Sequence, residues 1–286
     1  MVRTLALIGF GEAAMAFAPG LSAVLLAYDR KTDQSALADD KRDDYGLTGV
    51  RGCYSAAAAL DGADAALSLV TADQALLAAE SAAIAPGTLW FDMNSVAPDT
   101  KRAAAAAISA KGARYVDVAV MSPVMPARTA VPLLVSGAHA EAGAAVLRAL
   151  GFGNVRVVPG DVGRASSIKM IRSVMVKGIE ALTAECVLAA SQAGVLDEVL
   201  ASLDASEKPK PWAERADYNL DRMLAHGLRR AAEMEEVVKT LYALGTGSAM
   251  TAGTVVRQRA IGALGATPPD GLAAKLDLLT RKADAA

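Results

Sequence analysis

The chain has 286 residues, a formal net charge of −2, and a composition that is 53% hydrophobic but only 4% aromatic. That length holds one large domain or two of ordinary size, at about 100–200 residues per domain. The near-neutral charge, with no basic stripe carrying interleaved aromatics, argues against a nucleic-acid partner.

Residues 4–14 read TLALIGFGEAA. Leu5, Ala6, Leu7 and Ile8 form an uninterrupted apolar run, which suits a strand covered on both faces. Gly9, Gly11 and Ala14 then occupy the small-residue places of a G-x-G-x-x-A turn that encloses Phe10. The first small residue allows a tight turn, the second lets backbone approach a pyrophosphate, and the third lets a helix sit close to the strand. The helix beginning at Glu12 and Ala13 points its first N–H groups at the phosphates. It spans 12–18 and stops at Pro19 and Gly20. A strand follows over 21–28. Asp29 stands at its end, twenty residues after Gly9, in the place of a ribose-binding carboxylate. A carboxylate there grips the two ribose hydroxyls and repels a 2′-phosphate. The expected cofactor is therefore NAD or NADP, with NAD favoured. Arg30 and Lys31 are either the cations that admit NADP or solvated loop charges. The polar run 32–46 reads as a charged surface helix or loop without chemistry.

Residues 50–60 read as a strand and short helix around Cys53. A buried strand over 65–70 ends at Val70 and Thr71, at the carboxyl end where open α/β sheets place their ligands. A helix over 74–84, a strand over 88–92, a helix over 99–111 and a strand over 113–120 come next. After the loop 121–132, residues 133–136, 140–150 and 154–158 read as strand, helix and edge strand. This alternation predicts a Rossmann domain over 1–160: a doubly wound parallel sheet with one or two extra strands. Asn94 and Ser122 are short polar residues at strand ends. They suit a carboxylate or hydroxyl ligand, or an Asx or Ser turn.

From 161 to 286 the pattern is helical throughout. Apolar residues at 168, 171, 175, 179, 182 and 186 predict a long buried helix over 161–194. Lys169 and Ser173 share one of its faces, and Lys177 with Glu180 reads as a structural ion pair. Helices over 195–204, 211–226, 228–244, 249–264 and 271–283 follow, with a break at Gly227. His226, Arg230 and Glu233 share a face, and Arg229 with Glu233 can pair. That cluster reads either as an anion-binding group or as a salt-bridge network. Ala-rich helices with so few aromatics predict a homodimer through this half. Cys53 and Cys186 fit no metal or redox spacing and read as core residues in a reducing compartment. Two distant histidines suggest no metal site. No stretch reads as a targeting segment or a membrane span, so a cytoplasmic protein without a membrane partner is expected.

Three motifs carry a family likeness. Asp92-Met93-Asn94-Ser95-Val96-Ala97-Pro98 resembles D-x-S-T-x-x-P. Asp117-Val118-Ala119-Val120 followed by PLLVSG resembles D-A-P-V-S-G-G…G-T-L. Gly163 to Lys169 resembles G-x-x-x-x-x-K. With the opening turn, these resemble the β-hydroxyacid dehydrogenases, the superfamily of 3-hydroxyisobutyrate dehydrogenase and 6-phosphogluconate dehydrogenase. The resemblance implies an NAD(P)-dependent oxidoreductase that moves hydride between a nicotinamide and a 3-hydroxy acid or related alcohol. It implies Asn94 and Ser95 beside the nicotinamide and Lys169 as general acid–base, with Ser122 and Ser173 as neighbours. An anionic substrate would lie between the sheet and the helical domain. Two departures mark a divergent branch: Met121-Ser122-Pro123 replaces Ser-Gly-Gly, and Ser173 replaces an Asn. Imine or ketone reduction on the same fold, and a non-catalytic cofactor sensor, are the alternatives. To accept an alcohol proton, Lys169 must spend time neutral. That requires burial or a neighbouring cation, such as Arg172 or Lys177, to lower its ordinary value of ~10.4.

Overall fold

A computed structural model of the chain describes residues 2–206 and 209–283. Eight strands form one sheet in the order β3-β2-β1-β4-β5-β6-β7-β8. They are β1 (Thr4–Ile8), β2 (Val24–Tyr28), β3 (Arg51–Gly52), β4 (Ala65–Ser68), β5 (Leu89–Asp92), β6 (Arg114–Val120), β7 (Leu133–Ser136) and β8 (Val155–Val157). Helices α1 (Glu12–Phe17), α2 (Ala38–Thr48), α3 (Ala56–Leu60), α4 (Ala75–Glu80), α5 (Pro98–Ser109) and α6 (Ala140–Ala149) alternate with them. Side chains of successive strand residues point to opposite faces. Leu5 and Leu7 therefore join one apolar layer with Phe10, Phe17 and Phe91, while Ala6 and Ile8 join the other with Trp90, Ile108 and Tyr115. Both faces are covered, which is why β1 shows no polar alternation.

All neighbouring strands are parallel except β6 and β7, which are antiparallel. The doubly wound parallel sheet is as expected, and the antiparallel pair falls among its extra strands. A parallel return needs a crossover, usually helical. Residues 121–132 contain only a short 3₁₀ turn, so the chain doubles back instead.

The chain divides into two compact units, Met1–Val174 and Met175–Ala286. The division falls inside α7 (Arg164–Gln192), so Lys169 belongs to the first unit with the sheet. The second unit holds the rest of α7, then α8 (Leu196–Ser206), α9 (Trp212–Leu244), α10 (Ala249–Gly262) and α11 (Leu272–Ala283).

Helix α9 is unbroken through Gly227, against the expected break. A Cβ on Gly227 would lie 2.8 Å from the Cα of Gly262 on α10, and closer still to the carbonyl oxygen of Gln258. Gly227 therefore marks a close helix crossing, not a helix end. The apolar stripe of α7 is also not buried as expected: Ile171 is 72% exposed, and Met175, Ile179 and Leu182 are exposed too. Periodicity identifies a sticky face but does not say what covers it. Cys53 and Cys186 are half-buried free thiols, not core residues. The expected Lys177–Glu180 and Arg229–Glu233 pairs involve acidic side chains that lie outside the described residues. No described helix is long and apolar enough to cross a membrane.

Candidate cofactor and catalytic site

The turn after β1 is tight because its neighbours crowd it. Gly9 has φ +88°, and a Cβ there would lie 2.7 Å from the carbonyl oxygen of Leu69 and 2.9 Å from Val70 Cγ1. Only glycine fits such a position. Gly11 is the opposite case: no heavy atom lies within 4 Å of the place its Cβ would take. That leaves an open cradle just before Glu12, which is exposed, and Ala13, which is half-buried.

Two side chains hold this turn from either side. Asp29 Oδ2 accepts the backbone N–H of Phe10 at 2.7 Å. Lys41 Nζ donates to the Phe10 carbonyl at 2.7 Å and to Asp44 Oδ2 at 2.5 Å. The Phe10 ring meets Tyr45 edge to face, 4.8 Å between centroids. Helix α2, expected as a charged surface helix or loop without chemistry, braces the turn from its inward side. Its polar sequence conceals an inward row of Ala38, Lys41 and Tyr45 at helical spacing.

Asp29 Oδ1 accepts the N–H of Lys31 at 2.9 Å, so two N–H groups orient the carboxylate. It lies on the wall of a cleft of about 370 Å³, together with Gly9, Gly11, Arg30, Val70 and Thr71. The structure thus brings together most of the residues expected to hold a dinucleotide. It adds Gln74, Leu77 and Ser81, which sequence reasoning missed. Their only signal is that Gln74 and Ser81 are polar residues at the two ends of a short helix. Tyr28 also lines the cleft; burial, then the hydrogen bond its hydroxyl donates to Asp33, pushes its pKa up to about 12.

Past β5, residues 93–97 form a strap. Buried Asn94 donates from its backbone N–H and from Nδ2 to Asp92 Oδ1, at 3.0 and 2.8 Å, and from Nδ2 to Ser68 Oγ at 2.9 Å. Its Oδ1 is buried with no hydrogen-bond donor among the described residues. A buried orphan acceptor calls for a partner, and this one stands at the carboxyl ends of β4 and β5.

Lys169 Nζ donates to Ser95 Oγ at 2.5 Å. Residues 74 positions apart in sequence therefore meet on the strap. Ser173 donates to the Lys169 backbone carbonyl at 2.9 Å, one turn back on its own helix, and not to the amine. Exposed Ser122 donates to the Pro123 carbonyl at 3.2 Å. Arg172 donates to the Met121 carbonyl at 3.2 Å, tying the start of the loop that carries Ser122 to α7.

Under the strap lies a charge cluster that sequence reasoning missed. Lys101 is fully buried, and its Nζ donates to the Asp92 carbonyl at 2.6 Å, to Asp92 Oδ1 at 3.0 Å and to the Val118 carbonyl at 3.3 Å. It also lies 3.5 Å from Asp117 Oδ1. Asp117 Oδ2 accepts from the Ser136 hydroxyl at 3.0 Å and from the N–H groups of Gly163 at 3.0 Å and Ser166 at 3.3 Å. The available signal was a lysine in the apolar row of α5, in line with Ala104 and Ile108. Tyr115 donates to Asp92 Oδ2 at 2.7 Å; burial, then the Asp92 charge, drives its pKa far above the ordinary tyrosine range.

Residues 5–157 match the NAD binding domain of 6-phosphogluconate dehydrogenase. The chain belongs to that family. It is thereby a member of the β-hydroxyacid dehydrogenase superfamily, in a divergent branch. Residues 190–261 match a domain of unknown function, DUF1932. A conserved hypothetical protein from Sinorhizobium meliloti 1021 is 38% identical, with 98% of this chain and 97% of that one covered and a TM-score of 0.60. The conserved protein MTH1747, described as structurally similar to 3-hydroxyacid dehydrogenases, is 26% identical over 92% of this chain and 99% of its own, with a TM-score of 0.57. A Myxococcus stipitatus imine reductase variant in complex with NAD+ has a TM-score of 0.73 at 18% identity, covering 97% and 99% of the two chains. At that identity the likeness is one of fold. As a member of the 6-phosphogluconate dehydrogenase NAD-binding family, the chain takes a nicotinamide cofactor in its first unit. The open cradle at Gly11, the oriented Asp29 carboxylate and the unmet Asn94 acceptor fit such a group.

Proposed function

We propose that the protein is an NAD(P)-dependent oxidoreductase acting on the CH–OH group of a 3-hydroxy acid or related alcohol. The observation that carries this reading is the Lys169 amine on the Ser95 hydroxyl, at the carboxyl end of β5. When bound, the nicotinamide supplies or accepts the hydride. The chain does the rest. The Gly9–Gly11 turn and Asp29 hold the dinucleotide, and Asn94 and Ser95 flank its reactive end. Lys169 takes the hydroxyl proton at Nζ as hydride leaves the substrate, while Ser95 fixes the direction of the amine. This role requires Lys169 to spend time neutral, and Arg172, one turn along α7, is the neighbouring cation that would favour it. Arg172 and the loop bearing Ser122 receive an anionic substrate.

The Asp29 carboxylate repels a 2′-phosphate, which favours NAD over NADP. The exposed stripe of α7 is the surface on which two copies associate as a homodimer. Two unpaired cysteines accord with a cytoplasmic site of action.

The test is a panel followed by nicotinamide absorbance. Three-hydroxy acids and alcohols are offered with each oxidised cofactor, and ketones and cyclic imines with each reduced one. Turnover of a 3-hydroxy acid supports the reading. Turnover confined to imines replaces it with imine reduction. Cofactor binding without turnover on any member replaces it with a sensor.

A further inference from the structure

The Lys169–Ser95 contact is tethered at both ends to one buried cluster. On the amine side, Asp117 accepts the N–H groups of Gly163 and Ser166, fixing the first turn of α7 one turn before Lys169. On the hydroxyl side, Asp92 accepts from the backbone and side chain of Asn94, the residue before Ser95. Lys101 joins the two aspartates, 3.0 Å from Asp92 and 3.5 Å from Asp117. Ser136 completes the anchor: it donates to Asp117 and accepts the N–H of Ala165 at 3.0 Å. Asp92, Lys101, Asp117 and Ser136 are all fully buried.

Burying three ionisable groups costs folding free energy that a well-packed apolar cluster would not. Hydrogen bonds in such a cluster are directional, so they specify one arrangement where an apolar contact tolerates sliding. Here the arrangement specified is the position of α7 against the strap. Resting on the reading that Lys169 is the acid–base group, we propose that Asp117, Lys101 and Ser136 are positioning residues that keep the Lys169 amine on Ser95. They act through the first turn of α7 and the 93–97 strap and do not touch the reacting atoms.

The test uses the full chain and follows the rate at which trinitrobenzenesulfonate modifies Lys169, located by peptide mass mapping at fixed pH. The proteins are wild type, Ser95→Ala, Ser136→Ala, the double variant, and Asp117→Asn. Only the neutral amine reacts, and the hydrogen bond to Ser95 favours the ammonium. Ser95→Ala should therefore raise the rate roughly tenfold, the worth of a charge-assisted hydrogen bond. Ser136→Ala and Asp117→Asn should raise it in the same direction. In the Ser95→Ala background, Ser136→Ala should add nothing, because the contact it supports is already gone. Lys111, held by the carbonyls of Ala79 and Glu80, is the internal control and should not change.

A wild-type rate in Ser136→Ala, or equal multiplicative effects of Ser136→Ala with and without Ser95, overturns the proposal and leaves a structural role read only in the melting temperature. Ser136→Ala is uncharged and mild, so the answer stands even where Asp117→Asn fails to fold. Titration with reduced cofactor, run in parallel, reports on the functional reading separately. Loss of that reading leaves the labelling result intact, and the reverse also holds.

Discussion

The carboxylate of Asp29 accepts the backbone N–H of Phe10 at 2.7 Å, so the residue in the ribose-binding position also holds the glycine turn. On the proposed function, cofactor choice and turn geometry are coupled through this one side chain. Asp29→Asn keeps a carbonyl acceptor for Phe10 and removes the charge. The affinity for NADPH relative to NADH should rise about tenfold, the effect of one nearby charge. Asp29→Ala removes the acceptor as well and should weaken both cofactors. Fluorescence titration of the two reduced cofactors separates the outcomes.

Gly9 and Gly11 should respond differently to a methyl group. At Gly9 the Cβ meets the Leu69 carbonyl at 2.7 Å with φ at +88°. Gly9→Ala should lower stability by about 1–3 kcal/mol. Gly11→Ala meets nothing within 4 Å. Its melting temperature should match wild type while its affinity for the dinucleotide falls by roughly tenfold or more, as the cradle fills. Thermal melts beside cofactor titrations check both.

Lys169→Met should leave the dissociation constant of the cofactor within about threefold and lower turnover by roughly 10²–10⁴, the usual worth of a positioned general acid–base. Any substrate found active in the panel serves. Turnover near wild type would remove Lys169 from the chemistry.

The crossing of α9 and α10 leaves no room for a side chain at Gly227. Gly227→Ala should destabilise the helical unit by about 1–3 kcal/mol, although alanine is the better helix former by about 1 kcal/mol. Circular dichroism in a denaturant series measures the shift.

Glu185 heads α10, accepting from the backbone of Met250 at 3.0 Å and Thr251 at 2.9 Å and from the Thr251 hydroxyl at 2.5 Å. Burial pushes its pKa up. The hydrogen bonds from Thr251 and Met250 outweigh that and hold it below the ordinary 4.5. A depressed folded-state value means the carboxylate stabilises the fold above the ordinary pKa and loses that contribution as pH falls through the lowered one. Glu185→Gln should flatten the acid limb of stability against pH, and Glu185→Ala should cost about 1 kcal/mol at neutral pH, as loss of a helix cap does. Melts across the acid range give both numbers.

Much of the first unit was legible in the sequence because its signals are local. An apolar run, two glycines and an acid at fixed spacing report backbone sterics and strand burial, which need no distant partner. Lys169 was singled out differently, because Gly163 to Lys169 resembles a family motif; its contact with Ser95 came only from the fold. What sequence could not reveal depends on partners far along the chain. Lys41 looks like a surface charge until its amine is seen on the Phe10 carbonyl. Lys101 looks like a solvated helix residue until Asp92 and Asp117 close on it. Gly227 looks like a helix break until α10 crosses there. The reversal of β7, the exposure of the α7 stripe and the diversion of Ser173 onto its own helix were likewise decided by packing. Spacing along one element says which residues share a face; only the fold says what that face meets.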